Sequence, residues 1–307
     1  MNAIRPSRKN MYTGSPLDRM AERRPDAEWI ADAIAAETAL VVPLWRTKSL
    51  LRSEQAPAAV FVEPTAALRG AVEPAEWVFL GMWSGRPIFT VDLSATEEPA
   101  ALLPPDHGAF GDLRGIASLL PAGEASILAH ARGLLHWRSR TRFCSVCGAP
   151  CEPTGGGHVM HCTGCGTDHF PRTDPAVIML VTRGDSILLG HASRFPTAMY
   201  STLAGFVEPG ESLEEAVARE VYEETGIRVG HVAYHSSQPW PFPASLMLGF
   251  YAEGLTEEIT LHDAELADAR WFTRAMCLSP EEHGFQLPGG DSIARRLVED
   301  WLAHPAD

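Results

Sequence analysis

The chain has 307 residues, 45% hydrophobic and 21% charged, an ordinary globular composition and enough length for about two domains. Its formal net charge of −14 argues against nonspecific nucleic-acid binding as the main role and leaves room only for a local basic patch. No apolar run reaches the roughly 18 residues of a membrane span, and the N-terminal MNAIRPSRKN lacks the apolar stretch of a secretory signal, so no membrane role and a cytoplasmic location are expected.

Residues 1–30 are polar and read as partly ordered. Short apolar runs bounded by Pro or Gly follow at ALVVPLW, APAAVFVE, WVFLGMW and PIFTVDL, and these predict strands. EASILAHARGLLHWRSRTRF then spaces Ile127, Leu128, Ala131, Leu134 and Leu135 as a helix does. Residues 1–138 therefore read as a mainly β domain closed by a helix, with no evident chemistry. Residues 139–172 form a cysteine-rich segment, and residues 173–307 read as an α/β domain. In that domain PAVIMLV, SILLG, TLAGF, VAYHSS, SLMLGFYA and ARWF predict strands, and about 213–225 and about 290–303 predict helices.

Five of the six cysteines lie within residues 144–165. Cys144 with Cys147 and Cys162 with Cys165 form two Cys-x2-Cys-Gly knuckles, a spacing that suits one tetrahedral four-thiolate zinc ion. Gly148 and Gly166 let the chain turn tightly behind each pair. Four protein ligands complete the coordination, so the zinc is expected to be structural. Cys151, His158, His161 and His169 are available as spare ligands, but read more simply as ordinary residues of a small ribbon.

GFVEPGESLEEAVAREVYEETGI crowds seven glutamates into one short segment, Gly205 to Ile227. Ser212 and Glu215 make a capping box that starts a helix near Leu213, and Gly226 supplies its left-handed end. At about 100° per residue, Glu220 and Glu224 continue the apolar stripe of Leu213, Ala216, Val217 and Val221. Glu214, Glu215, Ala218, Arg219 and Tyr222 take the opposite side. Arg219 is expected to pair with Glu215 and Glu223 and to point away from Glu220 and Glu224. Carboxylates on a buried face are costly unless paired or bound to metal, and clustered oxygens select hard cations such as Mg2+ or Mn2+.

Gly205, Glu211 and REVYEETGI at these spacings resemble the Nudix box. The resemblance implies an α/β/α sandwich with a mixed sheet, beside a zinc ribbon and an N-terminal β-rich, Nudix-like domain. SQPWPFPASLM, LAGFVE and ARRLVED, together with the zinc ribbon, resemble the NADH pyrophosphatases, also known as NAD-capped RNA decapping enzymes, over about residues 110–307. By that resemblance Glu220, Glu224 and Glu265 hold Mg2+ or Mn2+, Glu223 is a further ligand or supports one, and Glu211 orients the attacking water. Gln238, Pro239, Trp240, Pro241, Phe242, Pro243, Ala244 and Ser245, read as a rigid loop, would line the dinucleotide site. Phe170 and Phe206 would sandwich a base, and Ile178, Ala204 and Ala294 match further site positions. Phe170 replaces a tyrosine common in the family, and Gly157 stands where some relatives carry a substrate-contacting glutamate. The implied reaction is hydrolysis of NAD(H) to nicotinamide mononucleotide and AMP, or the same cleavage on the NAD cap of RNA, by a homodimer. Two other readings stand beside it: a broader nucleoside-diphosphate hydrolase acting on ADP-ribose or coenzyme-like substrates, and a non-catalytic zinc-ribbon binding protein.

Overall fold

A computed structural model describes residues 6–52, 57–196, 198–261 and 265–304. The chain forms two compact units. One comprises Met1–Met11, Asp174–Pro239 and Ser245–Asp307, and the other comprises Tyr12–Thr173 and Trp240–Ala244.

The second unit holds the first eight strands. Its five-stranded sheet runs β3-β4-β1-β2-β5, with β1 Leu40–Trp45, β2 Lys48–Leu51, β3 Val78–Trp83, β4 Arg86–Asp92 and β5 Ala109–Gly111. Around it lie α1 (Ala27–Ala35), α2 (Ala66–Ala71), α3 (Leu113–Ile116) and α4 (Ala122–Arg140). Phe79, Phe89, Trp77, Val41 and Leu50 form its core. Two elements differ from the sequence expectation. The chain around residues 57–63 makes only isolated bridges, Ala59 to Leu51 and Val62 to Val41, rather than a strand; Pro57 lacks the N–H that would extend the pairing. Within the polar N-terminal stretch, Asp26 accepts a hydrogen bond from the Trp29 N–H and starts α1. The cysteine segment adds a small sheet of β6 (Cys151–Thr154), β7 (Val159–Cys162) and β8 (Asp168–His169).

The other unit is a three-layer sandwich. Its mixed sheet runs β12-β13-β9-β10-β14, with β11 also paired to β9. The strands are β9 Asp174–Arg183, β10 Ser186–Ala192, β11 Leu203–Phe206, β12 Val229–Trp240, β13 Ser245–Gly254 and β14 Leu266–Thr273. The helices are α5 Leu213–Thr225, α6 Arg274–Leu278 and α7 Ile293–Ala303. Residues 176–182 of β9 are all buried, as an apolar run covered on both faces must be. Alternation then divides the core. Val177, Met179 and Val181 meet Ala216, Val217 and Val221 of α5. Ile178 and Leu180 meet Ile293, Ala294, Leu297 and Val298 of α7.

Candidate active site

Local sequence fixes α5. The Ser212 hydroxyl accepts from the Glu215 N–H and the Glu215 carboxylate accepts from the Ser212 N–H. Gly226, with φ 69°, ends the helix. Ala216, Val217 and Val221 are buried against the sheet, and Glu224 lies among them at 5% exposure. Glu220, one turn earlier, lies over β11. A Cβ placed on Gly205 would stand 1.9 Å from the Glu220 carboxyl carbon, so glycine alone leaves room for that carboxylate. A glycine inside a strand signals close approach, and that signal was available in LAGF.

Arg219 is the hub of the acidic cluster, and here the structure corrects the helical-wheel expectation. Its Nε donates to Glu211 Oε1 at 2.6 Å and its Nη2 to Glu211 Oε2 at 2.9 Å. Nη1 donates to both Glu220 and Glu223 at 2.9 Å, and Nη2 also reaches the Phe206 carbonyl. Arg219 therefore turns toward Glu220 rather than away from it. Glu215 is no partner because the capping box already holds its carboxylate. A long, flexible side chain can follow a charge gradient that Cα angles do not reveal. The Glu211 carboxyl is held down to about 2, first by the Arg219 guanidinium and then by the Glu208 N–H.

Burial pushes the Glu220 carboxyl above the usual range, Arg219 pulls it back, and the charges of Glu223 and Glu265 push it up again. Glu265, exposed just before β14, thus reaches Glu220 electrostatically from a distant part of the sequence. Arg219 pairs with three carboxylates, those of Glu211, Glu220 and Glu223, and Glu265 adds a further negative charge that Glu220 feels. The excess is negative, the donors are all oxygen, and Gly205 keeps the space beside Glu220 clear. This donor set fits a hard divalent cation.

The four cysteines also converge. Their sulfurs all lie within 4.8 Å of one another. Individual separations are 3.7 Å for Cys144–Cys165, 3.3 Å for Cys147–Cys162 and 3.5 Å for Cys162–Cys165. Sulfurs about 2.3 Å from a tetrahedral zinc stand about 3.8 Å apart, so the set fits zinc. The N–H groups of Cys165 and Gly164 point at Cys162 and help lower its thiol to about 6. Two of the histidines read as plain ribbon residues prove more closely held. His169 Nε2 lies 3.3 Å from Cys144 Sγ, and buried His158 bonds the Phe79 carbonyl at 2.7 Å.

Three family models match the chain: a NUDIX domain over residues 172–290, an NADH pyrophosphatase-like rudimentary NUDIX domain over 38–137, and an NADH pyrophosphatase zinc ribbon domain over 139–170. The NAD-capped RNA hydrolase NudC of Stutzerimonas stutzeri is 42% identical over 225 residues, covering 73% of this chain and 76% of that protein. That of Mycobacterium bovis is 39% identical over 291 residues, covering 89% and 92%. The chain belongs to the NADH pyrophosphatase family of Nudix hydrolases. A Nudix hydrolase from Nitrosomonas europaea, known from its crystal structure, aligns at TM-score 0.40 and 22% identity over 48% of this chain and 97% of that one.

The remaining expected Nudix site residues fall in several places. Ile178 and Ala204 are register partners in β9 and β11, and Ala294 lies in the same α7-side cluster. Phe206 ends β11 and is 58% exposed. The expected rigid loop is shorter than read: β12 continues through Trp240 and β13 begins at Ser245, leaving Pro241–Ala244 as the turn. Gln238 and Pro239 belong to the sandwich unit, whereas Trp240 to Ala244 cluster with the β-rich one. Gln238 is fully buried; its amide donates to the Asp291 carbonyl and accepts from the Ile293 N–H, fixing the start of α7. Trp240 and Phe242 meet edge to face at 5.2 Å, and each meets Tyr12. Phe170 is 65% exposed beside the zinc ribbon of the β-rich unit. Gly157 has φ +85°, and a Cβ there would stand about 3.0 Å from Val78, so a glutamate at that position would be strained.

Proposed function

We propose that this protein hydrolyses the pyrophosphate bond of NAD(H), giving nicotinamide mononucleotide and AMP, and cleaves the same bond in the NAD cap of RNA. The carrying observation is the pair of half-buried Glu220 and buried Glu224 on α5, with Glu220 seated on Gly205 in the Nudix motif. The names of relatives about 40% identical over most of the chain support this substrate.

Glu220, Glu224 and Glu265 would hold a divalent ion, Mg2+ or Mn2+, with Glu223 as a further ligand. Such an ion supplies neutralisation of the pyrophosphate charge and acidifies water. Arg219 keeps Glu220 and Glu223 aimed and ties the preceding loop to the helix through Glu211. Glu211, ionised at neutral pH, accepts hydrogen bonds and orients the attacking water. No covalent intermediate on Cys, Ser or His enters this route, because water attacks directly. Exposed Phe206 offers a flat face to a nicotinamide or adenine ring. In this reading Pro239, Trp240 to Ser245 and Ala204 would contribute substrate contacts, and buried Gln238, Ile178 and Ala294 would support them from beneath. Zinc at Cys144, Cys147, Cys162 and Cys165 is structural.

Three modules, residues 1–138, 139–172 and 173–307, carry the two Nudix-type folds and the ribbon. A cytoplasmic homodimer completes the proposal. Its support is the exposure of Phe143, Val146 and Phe170 on one small ribbon, apolar groups that a second subunit would cover. The deciding assay incubates the protein with NADH and Mg2+, then with Mn2+, and resolves products by chromatography. Mononucleotide and AMP in equal amounts support the reading. Faster turnover of ADP-ribose than of NADH would replace it with a broad diphosphatase.

A further inference from the structure

Within the ribbon, β6 and β7 place Cys151 directly opposite Cys162. Cys162 is one of the four sulfurs that fit zinc, whereas Cys151 lies outside that set. Partners in an antiparallel pair share one face of the sheet. The two backbones do not bond each other at this step. The Cys151 N–H donates to the Arg142 carbonyl and the Cys162 N–H to the Thr167 carbonyl, each at 2.9 Å. A pair of that kind brings its Cα atoms to about 4.5 Å, inside the roughly 4.4–6.8 Å that a disulfide spans. Cys162 is also the side chain that hydrogen-bonds the Cys151 thiol. The two sulfurs can therefore join with little movement of the backbone.

Burial and bonding give the two sulfurs different roles. Cys151 is half-buried and is not needed for the four-thiolate set, so its lone pairs are free for a small electrophile. Cys162 is 1% exposed, and its sulfur accepts from the N–H groups of Gly164 and Cys165. Those donors favour a thiolate there. Cys277, the remaining cysteine, is buried in α6 of the other unit and has no partner thiol within the ribbon.

We propose that Cys151 is an oxidation site through which a peroxide unloads the zinc, the product being a Cys151–Cys162 disulfide. The Cys151 sulfur attacks one oxygen of hydrogen peroxide, the O–O bond breaks, and a sulfenic acid and water form. The Cys162 thiolate then attacks the Cys151 sulfur. The S–S bond forms, the S–O bond breaks, and hydroxide leaves. Each sulfur gives up one electron and the peroxide takes both. Cys162 then has no thiolate left for a metal, and the four-ligand set is broken. Disulfides of this transient, sensing kind are the ones that reducing compartments tolerate, and a thiol reductant reverses the bond.

The test treats the reduced, zinc-loaded protein with hydrogen peroxide. Zinc release is followed with a metallochromic dye, and disulfides are mapped by alkylation and peptide mass spectrometry. Cys151→Ser and Cys151→Ala are treated alike, and both are expected to carry the full zinc load beforehand. Wild type should release zinc in step with the Cys151–Cys162 disulfide, and reductant with added Zn2+ should restore both the metal and the melting temperature. Each variant should release zinc about 10-fold or more slowly, because the fast route needs two sulfurs held in place. Equal release rates in wild type and variants overturn the proposal. So does a disulfide between two of the four ligands in place of this one, or oxidised Cys151 with the zinc retained. A variant that lacks zinc before any oxidant makes Cys151 a ligand and overturns it as well. None of these measurements uses turnover, so they stand apart from the catalytic reading.

Discussion

Gly205→Ala places a single methyl group where the Glu220 carboxylate now lies. The new carbon would stand 1.9 Å from the carboxyl carbon and 2.0 and 2.1 Å from its oxygens. Ordinary contact begins at 3.4 Å, so the carboxylate must retreat by about 1.5 Å, the difference between the two carbon distances. Gly205 lies in extended β11, paired with Val177, where alanine meets no backbone strain. What must move is the end of a flexible side chain, so the cost in stability is small, about 1 kcal/mol or less. The cost in rate is large. A misplacement of about 1 Å at a reacting centre can lower the rate about 100-fold, or about 2.7 kcal/mol in the barrier. The assay is kcat/KM for NADH at fixed Mg2+, alongside the thermal midpoint of both proteins. A sharp loss of rate with a nearly unchanged midpoint is expected. The double variant with Glu220→Gln should be little slower than Glu220→Gln alone, since both act on one carboxylate. Near wild-type activity in Gly205→Ala, or a fully additive double variant, would refute the placement of Glu220 at the centre of the chemistry.

Glu220→Gln and Glu224→Gln should each lower turnover on the order of 100-fold or more while leaving thermal stability unchanged or raised, because each removes buried negative charge; a normal rate in either removes that residue from the site. Phe206→Ala should depress kcat/KM for NADH far more than for ADP-ribose, as a stacked base contributes roughly 1–3 kcal/mol; equal scaling of the two rates ends the stacking account. Zinc removal by a strong chelator, followed by Mg2+ repletion, should lower the melting temperature, and an unchanged melting curve in zinc-free protein contradicts a structural role. Burial, aided by Arg19, pushes His130 down to about 3, and burial pushes His158 down to about 4, while both rings would titrate near 6.5 in the unfolded chain. The unfolded state therefore takes up protons first, and stability should decline as pH falls from 6.5 through 4. An NMR titration in which either ring becomes protonated near 6.5 contradicts this.

The sequence by itself determined whatever depends on short spacing. The bounds of α5 follow from Ser212, Glu215 and Gly226, because a capping box and a left-handed end are satisfied within one or two turns. The four zinc ligands were legible because two tight knuckles leave thiolates few other arrangements. That Glu224 is buried and Glu220 half-buried on the sheet side of α5 followed from helical angle alone. The partners of those glutamates did not. Whether Arg219 turns to Glu215 or to Glu211 and Glu220 depends on where the preceding loop folds back, and Glu215 had already been taken by the cap. The pressure of Glu265 on Glu220 arises only when β14 joins the sheet, since charge acts through space and not along the chain. Likewise nothing in the sequence joined Arg114 to Arg132; tertiary folding brings both to Phe242, whose ring gives their guanidiniums a shared face.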